Sequence, residues 1–221
     1  EVVIGGNIIY WKNGSYTLGE LVAVVSASST TTNPIKIIGY DTLRSTNALG
    51  ANRPTIAQGT NSLSFGSNWV IRNMIFSGAI AGSTITSASG TSARWINVKA
   101  TNTATSTTRL AITVSADSVT LWCEFTSLSA SGAGYNSSTS GSKLLGCYIH
   151  DSDNGAFVGS TRYSMFGCLV EACDTAGVSL SSGSATEGWL VNNTIYGTEA
   201  KRGTGILMAA SHSTDTFVNN I

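Results

Sequence analysis

The sequence predicts an all-β solenoid of about 24-residue coils. Three observations predict it: a short apolar strand that recurs at a nearly constant interval, an alternation of faces around a fixed Asn or Cys, and a composition suited to strands and turns. The recurring strands read Val70-Ile71-Arg72-Asn73, Trp95-Ile96-Asn97, Leu121-Trp122-Cys123, Leu145-Gly146-Cys147, Phe166-Gly167-Cys168, Val191-Asn192-Asn193 and Val218-Asn219-Asn220. Successive Asn or Cys positions lie 24, 26, 24, 21, 25 and 27 residues apart. That interval is one coil of a solenoid whose rungs stack at roughly 4.8 Å.

A strand alternates its faces with period two, so the columns around the fixed residue test the register. Two places before it stand Ile71, Trp95, Leu121, Leu145, Phe166, Val191 and Val218; two places after it stand Ile75, Lys99, Phe125, Ile149, Val170 and Ile195. Every one is apolar except Lys99. The column one place before is mixed, as a solvated face should be. This register turns Asn73, Asn97, Cys123, Cys147, Cys168, Asn193 and Asn220 inward, the amides bonded from rung to rung and the thiols packed as small hydrophobes. A shift of one residue at Asn97 would instead put Ile96, Val98 and Ala100 inside and eject Lys99. The separations of Cys123, Cys147 and Cys168 fit neither a zinc ribbon nor a CxxC site, so these read as core thiols. Cys173, near a corner, is expected to be reachable.

The 221 residues include 24 Gly and 2 Pro, with 42% hydrophobic and 11% charged residues. Twelve basic residues balance twelve acidic ones, which removes the electrostatic argument for a nucleic-acid or anionic-membrane partner. No apolar run approaches the roughly 20 residues of a membrane span. The chain reads as a single domain over 1–221 that opens with strands near 6–11 and 13–18, continues with one at 34–40, and carries a loop insertion over 41–53. An end at Ile221 would leave apolar side chains and a row of backbone groups uncovered, so a longer polypeptide or a covering partner subunit is expected there.

With this coil length, ladder and inward columns, the chain resembles the right-handed parallel β-helix proteins of the pectate-lyase-like superfamily. The opening Gly-Asn-Ile-Ile-Tyr-Trp-Lys-Asn-Gly-Ser-Tyr at 6–16, the segment Asn33-Pro34-Ile35-Lys36-Ile37-Ile38-Gly39-Tyr40 and Arg53-Pro54-Thr55-Ile56 are similar to first coils of secreted and viral members. The resemblance implies the fold and a choice among polysaccharide lyases, glycoside hydrolases, adhesins and bacteriophage tailspikes. It supplies no catalytic residue. The Asn-Thr-Asp, Asp-Asp, Gly-His-Gly and Arg-Ile-Lys runs of the polygalacturonase-like branch do not occur, and Arg53-Pro54 is the nearest approach to the Arg-x-Pro of the pectate lyases.

One surface strip could carry chemistry. Asp153, Asp174 and Glu199 lie six places past the ladder, and His150, Glu171 and Tyr196 three places past it, with Asp151 and Lys201 near. Stacked carboxylates one strand spacing apart would hold a proton tightly or take a cation such as calcium between them. Such a strip could cleave a sugar chain with an acid/base pair. The same residues also make ordinary solenoid corners, where Asp side chains bond turn amides. Apart from this strip, no metal site or cofactor motif is present in the sequence. The aromatics Trp122, Tyr148, Tyr163, Trp189 and Tyr196 could bind sugars, and Trp122 and Tyr148 fall on outward columns. Three roles remain open. The leading one is a noncatalytic adhesin or tailspike-like protein of an extracellular or virion surface, contacting polysaccharide or cell-surface glycan and assembling with other subunits of a homo-oligomer or virion. The others are a polysaccharide-cleaving enzyme and a purely structural repeat.

Overall fold

The computed structural model describes residues 5–17, 22–24, 29–43, 52–87, 92–105, 109–137, 139–159, 162–180, 187–198, 200–201, 203–208 and 215–221. Their strands form three parallel sheets of nine, eight and eight strands, each sheet taking every third strand of the chain. One coil shows the plan: Val119–Leu121 lies in the first sheet, Glu124–Ser127 in the second and Ala133–Ser137 in the third. The next coil begins at Ser142–Leu145, paired in parallel with Val119–Leu121. The expected opening strands are present as Ile8–Lys12, Ser15–Thr17 and Ile35–Tyr40. Of the expected insertion, residues 44–51 lie outside the described residues.

The core is a continuous inner column of side chains. Toward the N-terminal side Phe65 makes aromatic contacts with Trp69, Phe76 and Trp95 at centroid distances of 5.7, 6.1 and 5.4 Å. Each such burial is worth about 1.5–3 kcal/mol. Farther along, smaller residues such as Cys123, Ala156, Val170 and Val178 fill the same space.

The corner between the first and second sheets corrects the expected register. Pairing aligns Arg72, Ile96, Leu121, Leu145, Phe166, Val191 and Val218. The residue after each, Asn73, Asn97, Trp122, Gly146, Gly167, Asn192 or Asn219, has φ between 49° and 59°. This left-handed residue interrupts the alternation, so the chain enters the corner facing outward and leaves it facing inward. Leu121, Leu145, Phe166, Val191 and Val218 therefore face out, and Thr120, Leu144, Met165 and Leu190 take the core positions expected for them. Asn73 and Asn97 belong to the left-handed column, although Asn73 is buried as expected, and Met74 and Val98 precede Cys123 in the inner one. Ile75 and Lys99 likewise turn outward, with Phe76 and Ala100 inside. Asn is one of the few side chains that tolerates φ > 0, which is why the same residue type occupies either column.

From Cys123 onward the inward ladder stands as expected, and its bonding explains it. The backbone N–H of each ladder residue is met by the side chain of the next rung. Cys123 N donates to Cys147 Sγ and Cys147 N to Cys168 Sγ, both at 3.4 Å. Cys168 N donates to Asn193 Oδ1 at 2.9 Å, and Asn193 N to Asn220 Oδ1 at 3.1 Å. The same side chains return a bond to the previous rung: Asn193 Nδ2 reaches Met165 O at 3.0 Å and Asn220 Nδ2 reaches Leu190 O at 2.8 Å. In the earlier coils Asn97 Nδ2 donates to Asn73 Oδ1 at 2.9 Å, and Arg53 donates to Asn97 O at 3.0 Å. The four cysteines are free thiols. Cys173 is buried rather than reachable, and burial pushes its thiol up to about 11.

The described terminal coil exposes Leu207, Met208, Phe217 and Ile221, and a recess of about 420 Å³ lined by Ile206, Met208, Phe217, Asn219 and Asn220 opens there.

Candidate functional site

The outward face of the second sheet gathers most of the polar side chains that the sequence singles out. Its strands present two columns. One runs Lys99, Glu124, Tyr148, Leu169, Thr194; the other runs Thr101, Thr126, His150, Glu171, Tyr196. Neighbours within a column are one strand spacing apart, so side chains more than twenty residues distant in sequence meet directly.

Glu124 is the centre of the first group. Lys99 Nζ lies 2.6 Å from Glu124 Oε1, and His150 Nε2 lies 3.2 Å from the same oxygen. The other ring nitrogen of His150 is 2.8 Å from Asp151 Oδ2, and its ring stacks on Tyr148 at a centroid distance of 4.3 Å and 19° between planes. The hydrogen bond from His150, reinforced by Lys99, holds the Glu124 carboxyl down at about 2 against the opposing effect of burial. Glu124 in turn raises His150, again against burial. The corner beneath His150 is tied by Ser152, whose hydroxyl accepts from Ser127 N at 3.0 Å and donates to His150 O at 3.1 Å.

Glu171 is the centre of the second group. The hydroxyls of Tyr148 and Tyr196, on the rungs before and after, donate to its two carboxylate oxygens. This bond pushes Tyr148 up to about 12. The stack of His150, Glu171 and Tyr196 expected from the sequence is thus in place.

The expected carboxylate stack is divided. Asp153 and Asp174 are backbone neighbours, with Asp174 N bonded to Ser152 O and Thr175 N to Asp153 O, but their side chains part. Asp153 is buried, accepting from Thr175 Oγ1 at 2.5 Å and Asn154 Nδ2 at 2.9 Å. Asp174 is exposed, 3.4 Å from Lys201 Nζ. Glu199 lies outside the described residues. No group of three His, Cys, Asp or Glu side chains among the described residues is placed to hold a metal ion. Of the aromatics, Trp122 is 68% exposed on the first corner, Tyr196 is 48% exposed, and Tyr163 is buried. Trp122 covers Gly146 on the next rung, where a Cβ would stand 2.9 Å from the indole.

Lys99 and Glu124 are the site residues that the sequence reading missed. The one clue was Lys99 itself, a cation in an otherwise apolar column. The one-residue shift at Asn97 ejects it and lays it beside Glu124, although Ile96 stays outward rather than entering the core.

A family model described as the right handed beta helix region matches residues 66–221. The chain belongs to the right-handed β-helix family. Among solved structures, the β-helix is similar to pectate lyase Pel9A, at 11% identity and a TM-score of 0.64, over 99% of this chain and 72% of that one. At that identity the likeness carries the fold alone. No curated protein sequence matches the β-helix. No helix among its described residues is long and apolar enough to cross a membrane.

Proposed function

We propose that this β-helix is a noncatalytic protein of an extracellular or virion surface, adhesin-like or tailspike-like, that contacts glycans through the outward face of its second sheet and works alongside other subunits of its assembly. The observation that carries the reading is the double clamp on Glu171 by Tyr148 and Tyr196. A carboxylate whose two oxygens already accept hydroxyl donors is a fixed acceptor between two aromatic rings. That arrangement suits recognition of a polyol, whose hydroxyls bond to the carboxylate while its C–H face lies on a ring. Glu124 supports the same reading. A general acid is tuned upward toward the working pH, and Glu124 is held low by Lys99 and His150.

The experiment is incubation of the protein with a panel of neutral and acidic polysaccharides, scoring retention by affinity electrophoresis and cleavage by new reducing ends and unsaturated uronate products. Retention of at least one polysaccharide without new chain ends is expected. Release of new ends, lost on replacing Asp174 or Glu171, would replace the proposal with the enzyme reading.

A further inference from the structure

The outward face of the first sheet carries a polar slot that belongs to none of the groups described above. Its middle residue is Ser164, which pairs with Lys143 on one side and Trp189 on the other. The small Ser164 side chain leaves a gap between Lys143 and Trp189. These walls are two strand spacings apart, roughly 9.6 Å. Trp189 is 47% exposed and lines this gap. Beside it the pair Arg162 and Glu187, on adjacent rungs, closes one end. Gly141, just before the Lys143 strand and with φ of 84°, lines the same slot, and Asp117 Oδ1 lies only 2.1 Å from where a Cβ on Gly141 would be. A side chain at 141 would collide with the Asp117 carboxylate. The cavity is about 280 Å³, just below the usual span of ligand pockets, about 300–1,000 Å³, and of a size for a single sugar ring.

The lining has the character of a ring-binding site. Two carboxylates, Asp117 and Glu187, and two cations, Lys143 and Arg162, surround one exposed indole, so the formal charge of the slot is zero while acceptors and donors stand on both sides of it. A carboxylated ligand would gain nothing from that balance. A neutral ring with hydroxyls on its edge and C–H bonds on its face can use all of it, the face on the indole and the hydroxyls toward the carboxylates and cations.

We propose that this slot binds one neutral pyranose residue of a glycan, stacked on Trp189. It extends the glycan-contact reading above to a second face, and it stands on separate residues. The test uses the full chain and three defined probes: maltohexaose, cellohexaose and hexagalacturonate. Binding is followed by saturation-transfer NMR and by indole fluorescence in the parent protein and in Trp189→Ala, Ser164→Phe and Tyr196→Ala. Ser164 is outward on a strand, so the Phe variant fills the slot without entering the core, and circular dichroism with a melting curve checks that all variants fold. A neutral hexasaccharide is expected to bind, with affinity weakened roughly tenfold or more by both Trp189→Ala and Ser164→Phe. Binding of neither neutral probe, preference for hexagalacturonate, or affinity unchanged in both slot variants overturns the proposal. Binding that follows Tyr196 and not Trp189 keeps the second-sheet reading and removes the slot. Binding that follows Trp189 and not Tyr196 does the reverse.

Discussion

The inner ladder and the outward strip of the second sheet are built on the same rung spacing, yet they use polar side chains in opposite ways. Inside, Cys123, Cys147, Cys168, Asn193 and Asn220 bond almost wholly to backbone, meeting N–H and C=O groups that the corner leaves without strand partners. Outside, Lys99, Glu124, His150, Tyr148, Glu171 and Tyr196 bond chiefly to one another. A ladder substitution therefore orphans backbone groups in a dry core, whereas a strip substitution releases side chains to water. Stability is concentrated in the first, and the proposed recognition chemistry lies in the second.

The largest effect is expected at the ladder. Asn193→Leu keeps the branched shape of the side chain but removes the acceptor for Cys168 N and the donor to Met165 O. Each buried group left unsatisfied costs about 1–3 kcal/mol, so a loss of about 3 kcal/mol or more in urea unfolding is expected. A loss below about 1 kcal/mol would mean that the ladder bonds are dispensable. Next comes the corner. Gly146→Val places a β-branched residue at a φ of 59° and its Cβ against Trp122, for an expected cost of about 2 kcal/mol. The same unfolding assay, with near-ultraviolet dichroism reporting on Trp122, checks it.

Effects at the strip are smaller on stability. The cluster of Lys99, Glu124 and His150 makes the melting temperature depend on pH on both sides. Glu124, lowered from 4.5 to about 2, contributes stability above its ordinary value that is lost as pH falls through that interval. His150, raised from 6.5, contributes stability below its ordinary value that is lost as pH rises through its folded value. The contribution is therefore greatest between about 4.5 and 6.5. His150→Gln should flatten the alkaline side, by less than about 1 kcal/mol because the group is partly solvated; an unchanged profile would show that the His150–Glu124 contact is inactive in solution. The smallest effect is expected for Asp174→Asn, whose ion pair with Lys201 is partly exposed to solvent: less than about 0.5 kcal/mol in the same assay.

The contrast between ladder and strip also marks what the sequence made legible. Coil length, strand positions and the inward run from Cys123 to Asn220 follow from periodicity, because a thiol or amide between apolar neighbours has few other places to go. The first two ladder positions were misplaced because Asn fits both a left-handed corner and an inward amide stack; Asn192-Asn193 and Asn219-Asn220 hold both positions side by side, but Asn73 and Asn97 each stand alone. That single left-handed residue also turned Leu121, Leu145 and Phe166 outward, which period-two reasoning could not anticipate across a corner. The contact between Lys99 and Glu124 depends on the same register, so periodicity alone does not place it. By contrast, His150, Glu171 and Tyr196 lie beyond the Cys column, where the register was right, and their stack was legible.

The most direct test of the division between fold and surface is a paired measurement on Tyr148→Ala/Tyr196→Ala: melting temperature, and affinity by isothermal titration for the polysaccharide that the parent retains best. Both rings flank Glu171 on the outward face, so affinity should fall roughly tenfold or more while the transition moves by no more than a few degrees. Affinity equal to that of the parent, or a variant that no longer folds, would contradict the account.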